Sequence, residues 1–315
     1  MTAEVSAGRR GFPALLEALR APLLASPAAD VLAGWALATF NGGARSPGPW
    51  LAASAIAACF LLAAGMASNA LVDHEEDRRD KPSRPLPRGA VTERQLQWTW
   101  CLLSLGALAL LARDMPALSL GVAILIGTAL YHHVLKTRRF PGCAVLGLLR
   151  GASMGLGVLV AAEAQGEGAD LSLGLLACAL YAVYIFGASL HASTDDQPAP
   201  RETDDEEAAP TQGFSAVGLG CCFVVLGLWT LFTAIRMVNG EWLAGAALGT
   251  LIWAITRLAD AARKLPPPAI TGAALSGLHL LHAGTVFLVG DMQLAGVILA
   301  LFMASRLALR SYPPS

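Results

Sequence analysis

Asn69, Asp73 and Asp77 stand four residues apart where an apolar run ends. A step of four turns a helix by about 400°, so the three project from one slowly drifting stripe. One helix face thus offers three oxygen ligands at the edge of the charged run His74-Glu75-Glu76-Asp77-Arg78-Arg79-Asp80-Lys81. Such a run is otherwise a solvated helix end. Against that, Asn69 shares the stripe yet follows apolar residues, and a helix C-terminus disfavours anions unless a cation is present. Oxygen donors without His or Cys at ligand spacing suit Mg²⁺, which takes few protein oxygens and keeps positions for phosphate. Pro82, Pro85, Pro87 and Gly89 then forbid helix and present Arg84 and Arg88 on an irregular segment. Thr92 with Gln95 has the form of a capping box that opens the next helix.

A second charged stretch runs from Ser189 to Glu207. Asp195 and Asp196 lie nearest the preceding helix end and are its candidate metal-side residues, with His191 four before Asp195. The acids from Glu202 to Glu207 are cut off by Pro198 and Pro200 and read as a solvated loop.

The elements that must position these groups belong to a membrane protein. Of 315 residues, 55% are hydrophobic and 14% charged, against roughly 25% charged in soluble domains. The apolar runs are long enough, at 1.5 Å per residue, to cross a hydrocarbon slab of about 30 Å. Spans are predicted near 22–40, 50–72, 96–112, 116–134, 143–162, 171–192, 214–235, 241–257, 268–289 and 292–309. Gly290 and Asp291 alone separate the last two, so the count is nine or ten. The fold class is therefore all-α, a polytopic helical bundle forming one domain over 1–315. Residues 73–95 and 193–213 are its two long charged loops. Four helices separate equivalent loops, which suggests two four-helix pseudo-repeats.

Lys and Arg crowd one side of this arrangement. Only Arg45, Arg113 and Arg236 fall in loops of the opposite side, which predicts a cytoplasmic N-terminus and cytoplasmic charged loops. A net charge of −1 and the lack of any binding motif argue against a nucleic-acid partner. The six cysteines lie in apolar stretches without CxxC spacing and read as small buried hydrophobes. Residues 1–21 contain no continuous apolar core of a cleavable signal peptide. Phe12, Leu15, Leu16 and Leu19 recur at helical spacing, as in a short interfacial helix or an extension of the first span.

At these residues the chain resembles the UbiA family of intramembrane prenyltransferases. Asn69, Asp73 and Asp77 followed by Arg84-Pro85-Leu86-Pro87-Arg88-Gly89 match its first signature, NxxxDxxxD with a basic, proline-rich continuation. Leu19-Arg20-Ala21-Pro22, the segment Tyr131 to Arg139, and Gly147-Leu-Leu-Arg150-Gly151 extend the likeness. The resemblance implies helices around a central cavity that opens to lipid. It also implies an Mg²⁺-bound isoprenyl diphosphate and transfer of the prenyl group to an aromatic or other lipophilic acceptor. Asp73, Asp77 and Asp195 would then be catalytic, with Asn69, Asp73, Asp77, Asp195 and Asp196 on the metal. Arg84, Arg88, Lys136, Arg139 and Arg150 would serve the diphosphate. The physics agrees, since carboxylates repel phosphate unless metal bridges them and bases neutralise the rest. The family's second signature, DxxxD, is broken here: no two aspartates between 189 and 207 are four apart. That erosion is similar to the EboC-like branch of the family.

Ionisable groups inside spans cost roughly 2.5–3.5 kcal/mol and need partners. Arg150 is a diphosphate partner or one half of a structural ion pair with Asp30. His279 and His282, with no carboxylate nearby in sequence, read as packed polar residues, and His132 and His133 as interface markers. Tyr131 and Tyr181 could line the cavity. A catalytically reduced binder or carrier of an isoprenoid is the second reading. A secondary transporter fits less well, because the charge is concentrated in loops on one side rather than at the midplane.

Overall fold

The computed structural model describes residues 11–40, 48–166, 169–193, 208–238, 243–264, 280–287 and 292–311. These residues form helices and no strand. A short helix α1 (Phe12–Ala18) leads through a 3₁₀ turn (Ala21–Leu23) into α2 (Ala25–Ala38). There follow α3 (Pro49–Val72), α4 (His74–Asp80), α5 (Glu93–Leu111) and α6 (Met115–Leu130), which runs into a π turn (Tyr131–Leu135). Then come α7 (Arg139–Gln165), α8 (Ser172–Ala192), α9 (Ala208–Val238), α10 (Leu243–Lys264), α11 (280–287) and α12 (Met292–Ser311).

The sequence dictates many of these boundaries. Pro49 and Pro116 open α3 and α6 at positions where a missing N–H costs nothing. The predicted capping box opens α5: the Gln95 amide donates to Thr92 Oγ1 at 3.2 Å and the Thr92 amide to Gln95 Oε1 at 2.8 Å. Six described segments are long and apolar enough to cross a membrane, namely Ala21–Ala38, Pro49–Val72, Met115–Leu135, Arg139–Gln165, Ser172–Ala192 and Ser215–Arg236. Among the described helices predicted as spans, α5 and α10 fall below that measure in composition, and the described apolar stretch of α12, Gln293–Leu307, falls below it in length. Glu93, Arg94, Gln95 and Gln97 make the start of α5 polar, and Arg257, Asp260 and Lys264 do the same for the end of α10.

The core gathers around α2, whose buried face packs on α3, α7, α8 and α12. Its crossing with α7 is close because two glycines meet it. A Cβ at Gly157 would stand 1.9 Å from the Val31 carbonyl oxygen, and one at Gly34 would stand 2.1 Å from that of Met154. Backbone-to-backbone packing of this kind brings Asp30 of α2 within reach of Arg150 of α7. All six cysteines are free; Cys143 and Cys222 are buried, as expected of small core residues, whereas Cys59, Cys101, Cys178 and Cys221 are only half-buried.

A smaller apolar cluster of Ala14, Leu19, Ala67, Leu86, Val91 and Leu96 ties α1 and the 81–92 loop to the ends of α3 and α5. The helix α1 is thus a strap on the bundle. It is also separate from α2, because Arg20 adopts a left-handed conformation (φ 50) between them.

Candidate functional site

The stripe predicted from spacing survives the junction of α3 and α4. Asp73 caps both helices, and the helical bonds run through it: the Asp73 amide donates to the Asn69 carbonyl at 2.9 Å and the Asp77 amide to the Asp73 carbonyl at 2.8 Å. Both carboxylates are buried, with Asp73 7% and Asp77 5% exposed. This rules out a solvated helix end. Asn69 Nδ2 donates to Asp73 Oδ2 at 2.9 Å. Lys136 pairs with Asp73, and Arg84 Nη1 donates to both Asp77 oxygens at 2.6 and 2.7 Å.

Lys136 arrives there through the π turn. Its amide donates to the Tyr131 carbonyl at 2.8 Å, a wider loop than an α-helical turn makes. The extra residue turns His132 inward, 9% exposed, and carries Lys136 across to α3. π turns of this kind recur at functional sites.

These groups rim a cavity of about 620 Å³. Its walls are apolar, built from Ala58, Leu61, Leu62, Ile124, Leu146 and Leu149, while Arg150 and Ser153 of α7 also line it. The polar mouth includes Arg20, Asn69, Asp73, Asp77, Arg84 and Lys136. Burial, and then the charge of Arg84, lower the Arg20 pKa from its ordinary value, although a guanidinium stays protonated in proteins.

Arg150 sits in a buried polar cluster. It pairs with Asp30 Oδ2 at 2.9 Å, contacts Ser26 Oγ, and donates to Tyr181 Oη from Nη2 at 2.9 Å and Nε at 3.2 Å. Tyr181 Oη donates to Asp30 Oδ1 at 2.7 Å, and His282 Nε2 lies 2.8 Å from the same oxygen. The ion-pair alternative for Arg150 is therefore realised, though the residue still lines the cavity. His282 is the packed polar residue expected, buried and beside a carboxylate. That carboxylate comes from α2, far away in the chain.

The structure brings Asn69, Asp73, Asp77, Arg84, Lys136 and Arg150 to one cavity, and places two other expected residues off its wall. Arg88 grips α1 instead, with Nη1 and Nη2 each 2.9 Å from a Glu17 carboxylate oxygen and Nη1 also 2.7 Å from the Ser83 carbonyl. Arg139 Nη2 lies 3.5 Å from the Ser193 carbonyl. Asp195, Asp196 and His279 lie outside the described residues. Among the described residues no three His, Cys, Asp or Glu side chains converge as a metal cluster. The oxygen donors at the mouth are two carboxylates and one amide. Arg20 is absent from the expected site residues although its segment, Leu19-Arg20-Ala21-Pro22, carries part of the family resemblance; only the structure puts it at the cavity mouth.

The chain matches the UbiA prenyltransferase family over residues 31–264. A digeranylgeranylglyceryl phosphate synthase of Halobacterium salinarum is 32% identical over 163 residues, 51% of this chain and 56% of that protein. The chain thus spans little more than half the length of the curated relatives it matches. Two solved structures share the fold. The apo structure of a UbiA homologue from Aeropyrum pernix K1 superposes with a TM-score of 0.55 at 19% identity, covering 90% of this chain and 98% of that one. A UbiA homologue from Archaeoglobus fulgidus bound to DMAPP and Mg²⁺ gives 0.55 at 12% identity, covering 88% and 99%. By the extent of the family match, this chain belongs to the UbiA prenyltransferase family.

Proposed function

We propose that the chain transfers a prenyl group from an isoprenyl diphosphate to a lipophilic acceptor within the membrane, with Mg²⁺ as cofactor. One observation carries this reading: two buried aspartates, each held by a base, rim a cavity whose walls are apolar. The donor set fits Mg²⁺, being oxygen throughout and small enough to leave positions for phosphate and water. Asn69, Asp73 and Asp77 would hold it. Bound there, Mg²⁺ would supply the positive charge that offsets the diphosphate and eases its departure as a leaving group.

The chain's own residues do the rest. Arg84 and Lys136 reach the mouth on flexible stems and can move from carboxylate to phosphate oxygen, with Arg20 beside them. The apolar walls accommodate the isoprenoid chain and keep water from the allylic centre while its C–O bond breaks. The acceptor then bonds to that carbon and loses a proton. The bias of Lys and Arg along the chain supports a cytoplasmic mouth. The relative bound to DMAPP and Mg²⁺ supports the same ligand classes.

Membranes carrying the chain, supplied with labelled geranylgeranyl diphosphate, Mg²⁺ and a panel of lipophilic acceptors, test the reading. Asp73→Ala and Asp77→Ala abolish product formation, and wild-type rates in either variant would overturn the assignment. The broken DxxxD between 189 and 207 favours a second reading, a carrier of isoprenoids. Saturable binding of the diphosphate with no product from any acceptor supports that instead.

A further inference from the structure

We propose that Arg150 selects the acceptor, donating from Nη1 to an uncharged oxygen, a hydroxyl or carbonyl, on the lipophilic molecule in the inner part of the cavity. This rests on the prenyl-transfer reading above. Arg150 lies about 16 Å along α7 from Arg139 at 1.5 Å per residue, near the middle of a membrane span. The Asp-rich mouth is at the other end of the cavity.

Three of its guanidinium hydrogen-bonding directions are already taken. Nη2 meets Asp30, Ser26 and Tyr181, and Nε meets Tyr181. Nη1 has no hydrogen-bond partner among the described residues, and the side chain, 17% exposed, lines the cavity. The guanidinium is thereby fixed in position on one edge and offers two N–H donors on the other. A donor held in an apolar enclosure costs free energy until an acceptor meets it. Asp30 settles the charge of that acceptor. It is fully buried and neutralises Arg150 at 2.9 Å, so a second anion would leave the buried cluster net negative. A hydroxyl or carbonyl oxygen completes the hydrogen bonding without adding charge.

Calorimetric titration of the full chain in lipid nanodiscs with 2-naphthol, naphthalene and 2-naphthoate tests this, with empty nanodiscs subtracted for partition into lipid. The wild-type chain binds 2-naphthol about tenfold more tightly than naphthalene or 2-naphthoate, as one buried hydrogen bond allows. Asp30→Asn/Arg150→Gln removes the preference while keeping the cluster neutral. Arg150→Lys, which keeps a cation beside Asp30 but lacks Nη1, removes it too. Equal wild-type binding of 2-naphthol and naphthalene, a preference for 2-naphthoate, or a preference that survives both variants overturns the proposal. Mg²⁺-dependent binding of geranylgeranyl diphosphate by the wild-type chain is read in the same nanodiscs. Its absence beside an intact naphthol preference defeats the transfer reading and leaves the oxygen-binding pocket standing.

Discussion

Arg84 Nη1 lies 2.6 and 2.7 Å from the two carboxylate oxygens of Asp77, with the aspartate almost sealed from solvent at the cavity mouth. The loop from Lys81 to Val91 makes this contact possible. Its prolines hold it irregular, and Gly89, at φ 73, supplies the left-handed turn that follows Arg88. Leu86 and Val91 plug it into the apolar cluster beneath. Pairing of Arg84 with Asp77 and of Lys136 with Asp73 keeps four charged groups mutually compensated in a site of restricted water.

Replacing Asp77 with Asn keeps the shape of the side chain and removes its charge. We expect a loss of transfer of about a hundredfold or more, in line with losing one electrostatic stabiliser of a developing anion. Initial rates with labelled geranylgeranyl diphosphate check this. Arg84→Lys retains charge but loses the guanidinium fork, so its KM for the diphosphate rises while part of the activity remains.

Chelation of divalent cations gives a second test. Excess EDTA stops product formation in membranes and restored Mg²⁺ returns it, whereas Ca²⁺, larger and less demanding in geometry, restores less. Activity that persists in EDTA contradicts the metal assignment.

Much of this site is legible in the sequence because it is local. Asn69, Asp73 and Asp77 share a face by helical spacing, and Thr92 with Gln95 announces a helix start from a four-residue pattern. What fails is what depends on distant partners. Arg88 has the composition of a phosphate ligand, yet it is held by Glu17, 71 residues away. His282 looks unpartnered until α11 meets Asp30, 252 residues earlier. The π turn leaves no compositional mark in Tyr-His-His-Val-Leu, so the route by which Lys136 reaches Asp73 becomes visible only in three dimensions.

The Glu17–Arg88 pair has two parallel N–H···O contacts, and both side chains are largely buried. Glu17→Ala should destabilise the α1 strap by about 1 kcal/mol. Limited proteolysis of the 81–92 loop should then be faster, while the Glu17→Arg/Arg88→Glu exchange recovers protection.

Asp30→Ala leaves Arg150 and Tyr181 facing a carboxylate that is gone. Removing one member of a buried ion pair costs about 3–5 kcal/mol, so the thermal midpoint in detergent falls far more than for Asp30→Asn/Arg150→Gln, which removes both charges together. A midpoint unchanged in Asp30→Ala shows that the cluster carries no structural role.

Gly157→Ala forces a methyl group to within 1.9 Å of the Val31 carbonyl, and only separation of α2 from α7 relieves it. Overpacking of this kind costs about 1–3 kcal/mol. Circular dichroism melting reads it directly, and Gly220→Ala on α9, where a Cβ meets nothing within 4 Å, is the neutral control.

The wide turn at Tyr131–Leu135 has a directional consequence. The same five residues relaxed into ordinary α-helix, with no change of length, would swing every later position by about 100° and aim Lys136 away from its aspartate. The wide loop itself, and not the lysine alone, is thus what delivers that cation to the carboxylate.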